Sequence, residues 1–201
     1  MPDLKLTIDG QEIIAHPGMT ILEAAQSACI HIPTLCHHKD LEPYGGCRLC
    51  SVEIRQGARK RIVASCVYPA EDKLVVFTES ERIRRIRKVL VELLLTQAPG
   101  AKVVKDLARE YGANVNRFKK DGTFCILCGM CVRYCNEVKK LGAVSFIGRG
   151  ASREVTFMPE IAAKECSKCR ECFRICPTNV IEGNFLLAQA LDFNTEAPAH
   201  E

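Results

Sequence analysis

The chain has 201 residues, enough for one large domain or two small ones, and is 47% hydrophobic, 6% aromatic and free of tryptophan. Its 13 cysteines offer the cohesion that so few aromatic residues cannot, and the formal charge of +4 counts no metal they would hold. Bound metal–thiolate charge would move the balance to about −2, so the basic composition gives no support to nucleic-acid binding. The start MPDLKLTIDG lacks a basic n-region, an apolar run and a twin-arginine pair. The longest apolar candidate for a span, Val89 to Leu95, is short and carries Glu92. These features predict a cytoplasmic protein whose cysteines are metal-bound rather than paired as disulfides.

Leu4, Leu6 and Ile8 alternate, Asp9-Gly10 turns the chain, and Ile13 and Ala15 follow, which predicts a hairpin. Thr20-Ile-Leu-Glu23 is a capping box opening a helix through about Cys29, and Pro33 ends that region. Cys29, at an apolar helix position, is expected to pack in the core. A cysteine-rich loop spans Cys36 to Cys50, followed by strand-like pieces at Ser51–Ile54, Arg61–Ala64 and Leu74–Phe77. Hairpin, helix, loop and strands describe a small α+β domain of the ubiquitin-like (β-grasp) ferredoxin kind. Thr78-Glu-Ser-Glu81 reads as a second capping box for a helix from Glu79 to Thr96, with Ile83, Ile86, Leu90 and Leu94 near one face. Arg82, Arg84, Arg85, Arg87 and Lys88 read as its solvated face, with docking to an acidic partner as the alternative. Pro99-Gly100 breaks the helix and a short one follows, Lys102 to Tyr111. Strands are expected at Val144–Ile147 and Glu154–Phe157, then a helix at Phe185–Leu191 and a loose end from Asn194 to Glu201.

The strongest pattern is Cys125-x2-Cys128-x2-Cys131-x3-Cys135 repeated as Cys166-x2-Cys169-x2-Cys172-x3-Cys176-Pro177. This is the bacterial ferredoxin spacing for two 4Fe–4S clusters, each taking its fourth thiolate from the other run. One cluster would take Cys125, Cys128, Cys131 and Cys176; the other Cys166, Cys169, Cys172 and Cys135. Zinc is the competing metal, but it usually binds two separated C-x2-C pairs. The first run departs from the pattern: Asn136, not proline, follows Cys135, and a long segment runs from there to Glu165.

Cys36-x10-Cys47-x2-Cys50-x15-Cys66 is a second constellation. It varies the plant-type spacing for a 2Fe–2S cluster, with three cysteines on a loop and a fourth at a strand end. Gly45 and Gly46 would let backbone N–H groups approach the sulfurs. His37 and His38 suggest a Rieske-type site, but four cysteines already complete the ligand set, so both read as loop residues.

At TILEAAQSACIHIPTLC, GGCRLCSVEI, CILCGMCVRYCNEV, FIGRG and CSKCRECFRICPTNVI the chain resembles the N-terminal iron–sulfur region of the large peripheral-arm subunit of respiratory complex I. The same module serves as the electron-transfer (diaphorase) subunit of NAD-linked bidirectional hydrogenases and of some formate dehydrogenases. The resemblance implies a 2Fe–2S ferredoxin-like domain (residues 1–78), a helical linker (79–120), a two-cluster bacterial-type 4Fe–4S ferredoxin domain (121–184) and a tail (185–201). Most members also hold a 4Fe–4S cluster on one histidine and three cysteines between these domains. The corresponding LLLTQAPGAKVVKDLAREYG has neither residue type, which implies a shortened loop and a lost cluster.

The resemblance implies a non-catalytic relay of single electrons between a flavin-containing NAD(P)H-binding subunit and a catalytic subunit such as a hydrogenase or formate dehydrogenase. No nucleic-acid partner or membrane insertion is expected. The alternative is a free-standing, diffusing multi-cluster ferredoxin. A DNA-binding redox sensor lacks any helix-turn-helix signal.

Overall fold

The computed structural model describes residues 3–119 and 122–191. The expected loose end from Asn194 lies outside them. The architecture is α+β. Strands β1 (Leu4–Ile8) and β2 (Gln11–Ala15) form the expected hairpin, with Asp9 at φ 48° and Gly10 at φ 86°. Two successive positive φ values are what a tight right-twisted hairpin requires. The strands β3 (Ser51–Gln56), β4 (Arg59–Ala64) and β5 (Val75–Phe77) complete a mixed sheet in the order β2-β1-β5-β3-β4, with β1 and β5 parallel. The Asp9 carboxylate accepts from the Thr78 N–H at 2.8 Å and from its hydroxyl, pinning the end of β5 to the first turn.

Helix α1 (Ile21–Ser27) packs Ile21, Leu22, Ala24 and Ala25 into the core with Leu6, Ile8, Val52, Leu74 and Val76. Its capping box forms as expected: Thr20 Oγ1 accepts from the Glu23 N–H, and the Glu23 carboxylate accepts from the Thr20 N–H. The other end corrects the sequence reading. The Cys29 N–H bonds Gln26 O at 3.0 Å and the Ile30 N–H bonds Ala25 O at 2.8 Å. This pattern is a Schellman stop with Cys29 in the left-handed conformation at φ 58°. Cys29 is therefore past the helix and exposed, not core.

Helix α2 (Glu81–Gln97) starts from Ser80, whose hydroxyl accepts from the Ile83 N–H; Thr78, engaged by Asp9, does not cap it. Its buried face is Ile83, Arg87, Val91, Glu92 and Leu95, rotated from the expected line through Ile86, Leu90 and Leu94. Arg87, expected on the solvated face, is fully buried. Helix α3 (Lys102–Tyr111) folds back on α2 as an αα-hairpin, burying Val104, Ala108 and Tyr111 with Leu35, Leu49 and Ile126. Buried Glu92 accepts from the Asn114 N–H at 2.9 Å and pairs with Arg117 at 2.7 Å, which closes the hairpin.

In the C-terminal part, α4 (Met130–Arg133) runs into a π-helical turn, Tyr134–Val138, that carries Cys135. Strands β6 (Val144–Ile147) and β7 (Glu154–Phe157) pair antiparallel at the expected residues. Helices α5 (Pro159–Cys169), α6 (Glu171–Arg174) and α7 (Val180–Ala190) follow; α7 begins earlier than the Phe185 expected. Phe157, Phe173 and Phe185 meet at centroid spacings of 5.4–5.5 Å. Arg133 ties this part to the N-terminal loop: it bonds the Glu42 carbonyl and lies 4.9 Å from the Tyr44 ring centroid, while Glu137 accepts from the Glu42 N–H at 3.0 Å. Among the described residues no helix is long and apolar enough to cross a membrane.

Candidate metal centres

The loop between α1 and β3, with the turn after β4, brings Cys36, Cys47, Cys50 and Cys66 together as two pairs. The Cys47 N–H points at Cys36 Sγ at 3.2 Å, and Cys50 Sγ lies 3.3 Å from Cys66 Sγ. Within each pair one thiol hydrogen-bonds the other sulfur, which brings Cys47 down to about 6 and Cys50 to about 7 while Cys36 and Cys66 rise. Each pair thus favours a single negative charge.

The glycines stand where close approach is required. Backbone N–H groups of Gly45 and Gly46 face the sulfurs of Cys66 and Cys36. Gly45 has φ +67°, and a Cβ there would meet Val67 Cγ2 at 2.9 Å. Ser65, wholly buried, donates its N–H to Cys50 O, and its hydroxyl helps hold the Cys50 thiol down. A buried hydroxyl donor beside four thiols suits negatively charged sulfur. His37 and His38 lie in the loop, with His38 edge-on to Tyr134 at 5.8 Å.

Eight of the remaining nine cysteines line two cavities. One is bounded by Cys125, Cys128, Cys131 and Cys176; the second by Cys135, Cys166, Cys169 and Cys172. Each takes three thiols from one run and the fourth from the other. The two runs reach this arrangement by different backbones. Cys125 and Cys128 occupy a loop with left-handed residues at Phe124, Leu127 and Gly129 that leads into Cys131 in α4, whereas Cys166 and Cys169 lie in the last turns of α5, which Arg170 ends at φ 48°.

Burial pushes the Cys131 thiol far up, Cys128 and Cys166 to about 11 and Cys172 to about 12. Thiolates are the metal-binding form, and thiolates in such apolar walls need a cation beside them. Among the described residues no three His, Cys, Asp or Glu side chains converge on one ion. A donor set spread around a cavity suits a polynuclear cluster rather than a single ion. The donors therefore fit iron–sulfur groups, the two thiol pairs of the first site a 2Fe–2S one.

The three sites adjoin. Cys47 and Cys128 pack against the same apolar cluster around the α2–α3 hairpin, and Cys131 feels the charge of both Cys128 and Cys172. Sequence reasoning missed Ser65, Arg87 and Arg133. Ser65 and Arg133 carry no local signal, and the charge of Arg87 pointed to the surface.

Residues 2–81 match the 2Fe-2S iron-sulfur cluster binding domain family. The chain is 34% identical to NADPH-Fe(3+) oxidoreductase subunit alpha of Geobacter sulfurreducens, over 89% of this chain and 24% of that one. It is 30% identical to an NADH-quinone oxidoreductase subunit of Rickettsia bellii, over 89% of this chain and 29% of that one. It thus spans about a quarter of the length of these curated relatives. A chain in the crystal structure of an NAD+-reducing [NiFe]-hydrogenase in the H2-reduced state superposes with a TM-score of 0.68 at 32% identity, covering 77% of this chain and 75% of that one.

Proposed function

Because the chain belongs to the family of iron–sulfur subunits found in NADH–quinone oxidoreductases and NAD-linked hydrogenases, we propose that it is the electron-relay subunit of a multi-subunit NAD(P)-linked oxidoreductase. Its partners on this reading are a flavin subunit that handles NAD(P)H and a catalytic subunit that consumes or supplies electrons.

The observation that carries the reading is the pair of cavities, each walled by three thiols of one run and the fourth of the other. Cys36, Cys47, Cys50 and Cys66 would hold a 2Fe–2S cluster; Cys125, Cys128, Cys131 and Cys176 one 4Fe–4S cluster; Cys166, Cys169, Cys172 and Cys135 the other. On this assignment residues 1–78 form the 2Fe–2S domain, 79–120 a helical linker and 121–184 a two-cluster ferredoxin domain. Bound there, the clusters supply one-electron redox chemistry, which divides a two-electron hydride into single steps.

The chain's own residues do the rest. Backbone N–H groups of Gly45, Gly46 and Cys47 donate toward the thiol sulfurs of the first site and disperse negative charge. Ile126, Val155, Val180 and Ile181 wall the cavity of Cys125 and Cys176 against water, and Leu141, Ala143, Val144 and Phe173 wall the cavity of Cys135 and Cys166. Exclusion of solvent and hydrogen bonding at sulfur are the levers that set cluster potentials.

Metal analysis of the anaerobically purified chain tests the cofactor reading, with about ten irons expected per chain. About fourteen would reveal another cubane and overturn the shortened-loop reading. Affinity purification from the native host tests the partnership. A stoichiometric complex with flavin and NAD(P)H-oxidising activity supports it, and a lone monomer that reduces several unrelated enzymes refutes it.

A further inference from the structure

The buried cation in α2 stands against the first metal site. Arg87 Nε donates to Leu49 O at 3.0 Å and Nη2 to Ser51 O at 3.1 Å. Nη1 bonds the Glu79 carboxylate and approaches the Tyr111 hydroxyl at 3.4 Å. A wholly buried guanidinium is costly unless its donors are paired, and a leucine here would serve a helix–sheet interface without that cost. The sequence retains the charge where it touches the two carbonyls on either side of Cys50.

The contacts have a definite consequence for Cys50. The Leu49 carbonyl belongs to the same planar peptide group as the Cys50 N–H. Fixing that oxygen therefore fixes the direction of the N–H. The Cys50 carbonyl is held separately by the Ser65 N–H at 3.1 Å. Both peptide groups of this thiol-bearing residue are thus clamped, one by a full positive charge. Glu79 offsets the charge only in part, because its side chain is 45% exposed while that of Arg87 is 0% exposed. Water screens the carboxylate and not the guanidinium.

We infer that Arg87 is a positioning residue that raises the reduction potential of the 2Fe–2S cluster, by clamping the Cys50 peptide and by holding an incompletely neutralised cation beside it. The inference rests on the proposed ligand set of the first site. Reduction adds one electron and one negative charge to the cluster, so a nearby buried cation favours the reduced form. Hydrogen bonds and net charge around the sulfurs are established determinants of such potentials.

The test is a mediated redox titration of the full-length, cluster-loaded chain, with dithionite as reductant and electron paramagnetic resonance as readout. Arg87→Gln should lower the 2Fe–2S potential by about 59 mV, a tenfold fall in the reduced-to-oxidised ratio at fixed potential for one electron. The 4Fe–4S potentials should stay in place. Arg87→Lys keeps the charge but cannot span both carbonyls and Glu79, so it should fall between. Glu79→Gln removes the offsetting charge and should move the potential up, opposite in sign to Arg87→Gln. A packing role alone predicts lowered thermal stability in Arg87→Gln and Glu79→Gln with an unchanged potential, and that result would overturn the inference. Should Arg87→Gln fail to fold, the sign of the Glu79→Gln shift decides, and no shift or a downward one refutes the proposal. A wild-type chain without a 2Fe–2S signal would instead overturn the site assignment.

Discussion

In the N-terminal sheet, Cys50 and Cys66 join a core already furnished by Leu6, Ile8, Ile21, Leu22, Val52, Ile54, Leu74 and Val76. In the C-terminal part, Cys131, Cys135, Cys166, Cys172 and Cys176 are themselves a large share of the buried core, beside Phe157, Phe173, Phe185 and a few smaller residues. Aliphatic packing can hold the first part without metal. The second places thiols where a domain of its size would place leucine, and several of its regular elements are short: α4 and α6 span four residues each and β6 and β7 four each. Where ligands supply the core, metal binding and folding share one free energy.

The largest expected effect follows from that contrast. Stripping iron with a chelator should abolish amide-exchange protection in β6, β7 and α5 while leaving β1, β3 and α1 protected. Equal loss in both parts, or none in either, would break the comparison. Next in size, Cys176→Ser should remove about four irons and the spectroscopic signal of the site shared with Cys125, leaving the site of Cys166 loaded. Loss of the Cys166 site instead would refute the crossed arrangement.

A smaller effect is expected in the α2–α3 hairpin. The Asn114 N–H, ahead of the Arg117 guanidinium, holds the Glu92 carboxyl below its ordinary range. A depressed carboxyl stabilises the fold above its unfolded pKa and loses that contribution as pH falls. The α2–α3 hairpin should therefore weaken below about pH 4.5, and Glu92→Gln should cost about 1–3 kcal/mol at pH 7 and flatten that acid limb. A thermal-melt series against pH reads both. Smallest is Cys29→Gly. Glycine has no Cβ penalty at φ 58°, so melting should show a gain of up to about 1 kcal/mol, partly offset by unfolded-state entropy. A loss of stability would restore a packing role for Cys29.

Local signals were legible wherever one residue type has one physical use. Asp9-Gly10 allows little but a tight hairpin turn, the Thr20–Glu23 box formed, and the bounds of α3, β6 and β7 match the pattern. Errors arose where tertiary partners override local preference. Counting Arg87 as outward-facing rotated the buried face of α2, because its burial, like that of Glu92, depends on partners far along the chain: Leu49 and Ser51 for one, Asn114 and Arg117 for the other. Thr78 and Ser80 both stand near the start of α2, and only the distant Asp9 decides which is free to cap it. Cysteine spacing announced the donor groups but not the backbones beneath them, since a loop running into α4 and the end of α5 running into α6 deliver the same triplet of thiols.

The Arg133–Glu137 pair flanks Cys135 in sequence and grips Glu42 and Tyr44, in the loop between Cys36 and Cys47. Neighbouring domains of one chain ordinarily drift relative to each other unless something fastens them. Tunnelling between redox centres fades steeply with separation, so a drifting pair would transmit in bursts, limited by the rate at which the domains find one another. This clip joins the loop of one centre to the turn bearing a thiol of another. Current through the chain would then be governed by driving force, not by the breathing of a hinge.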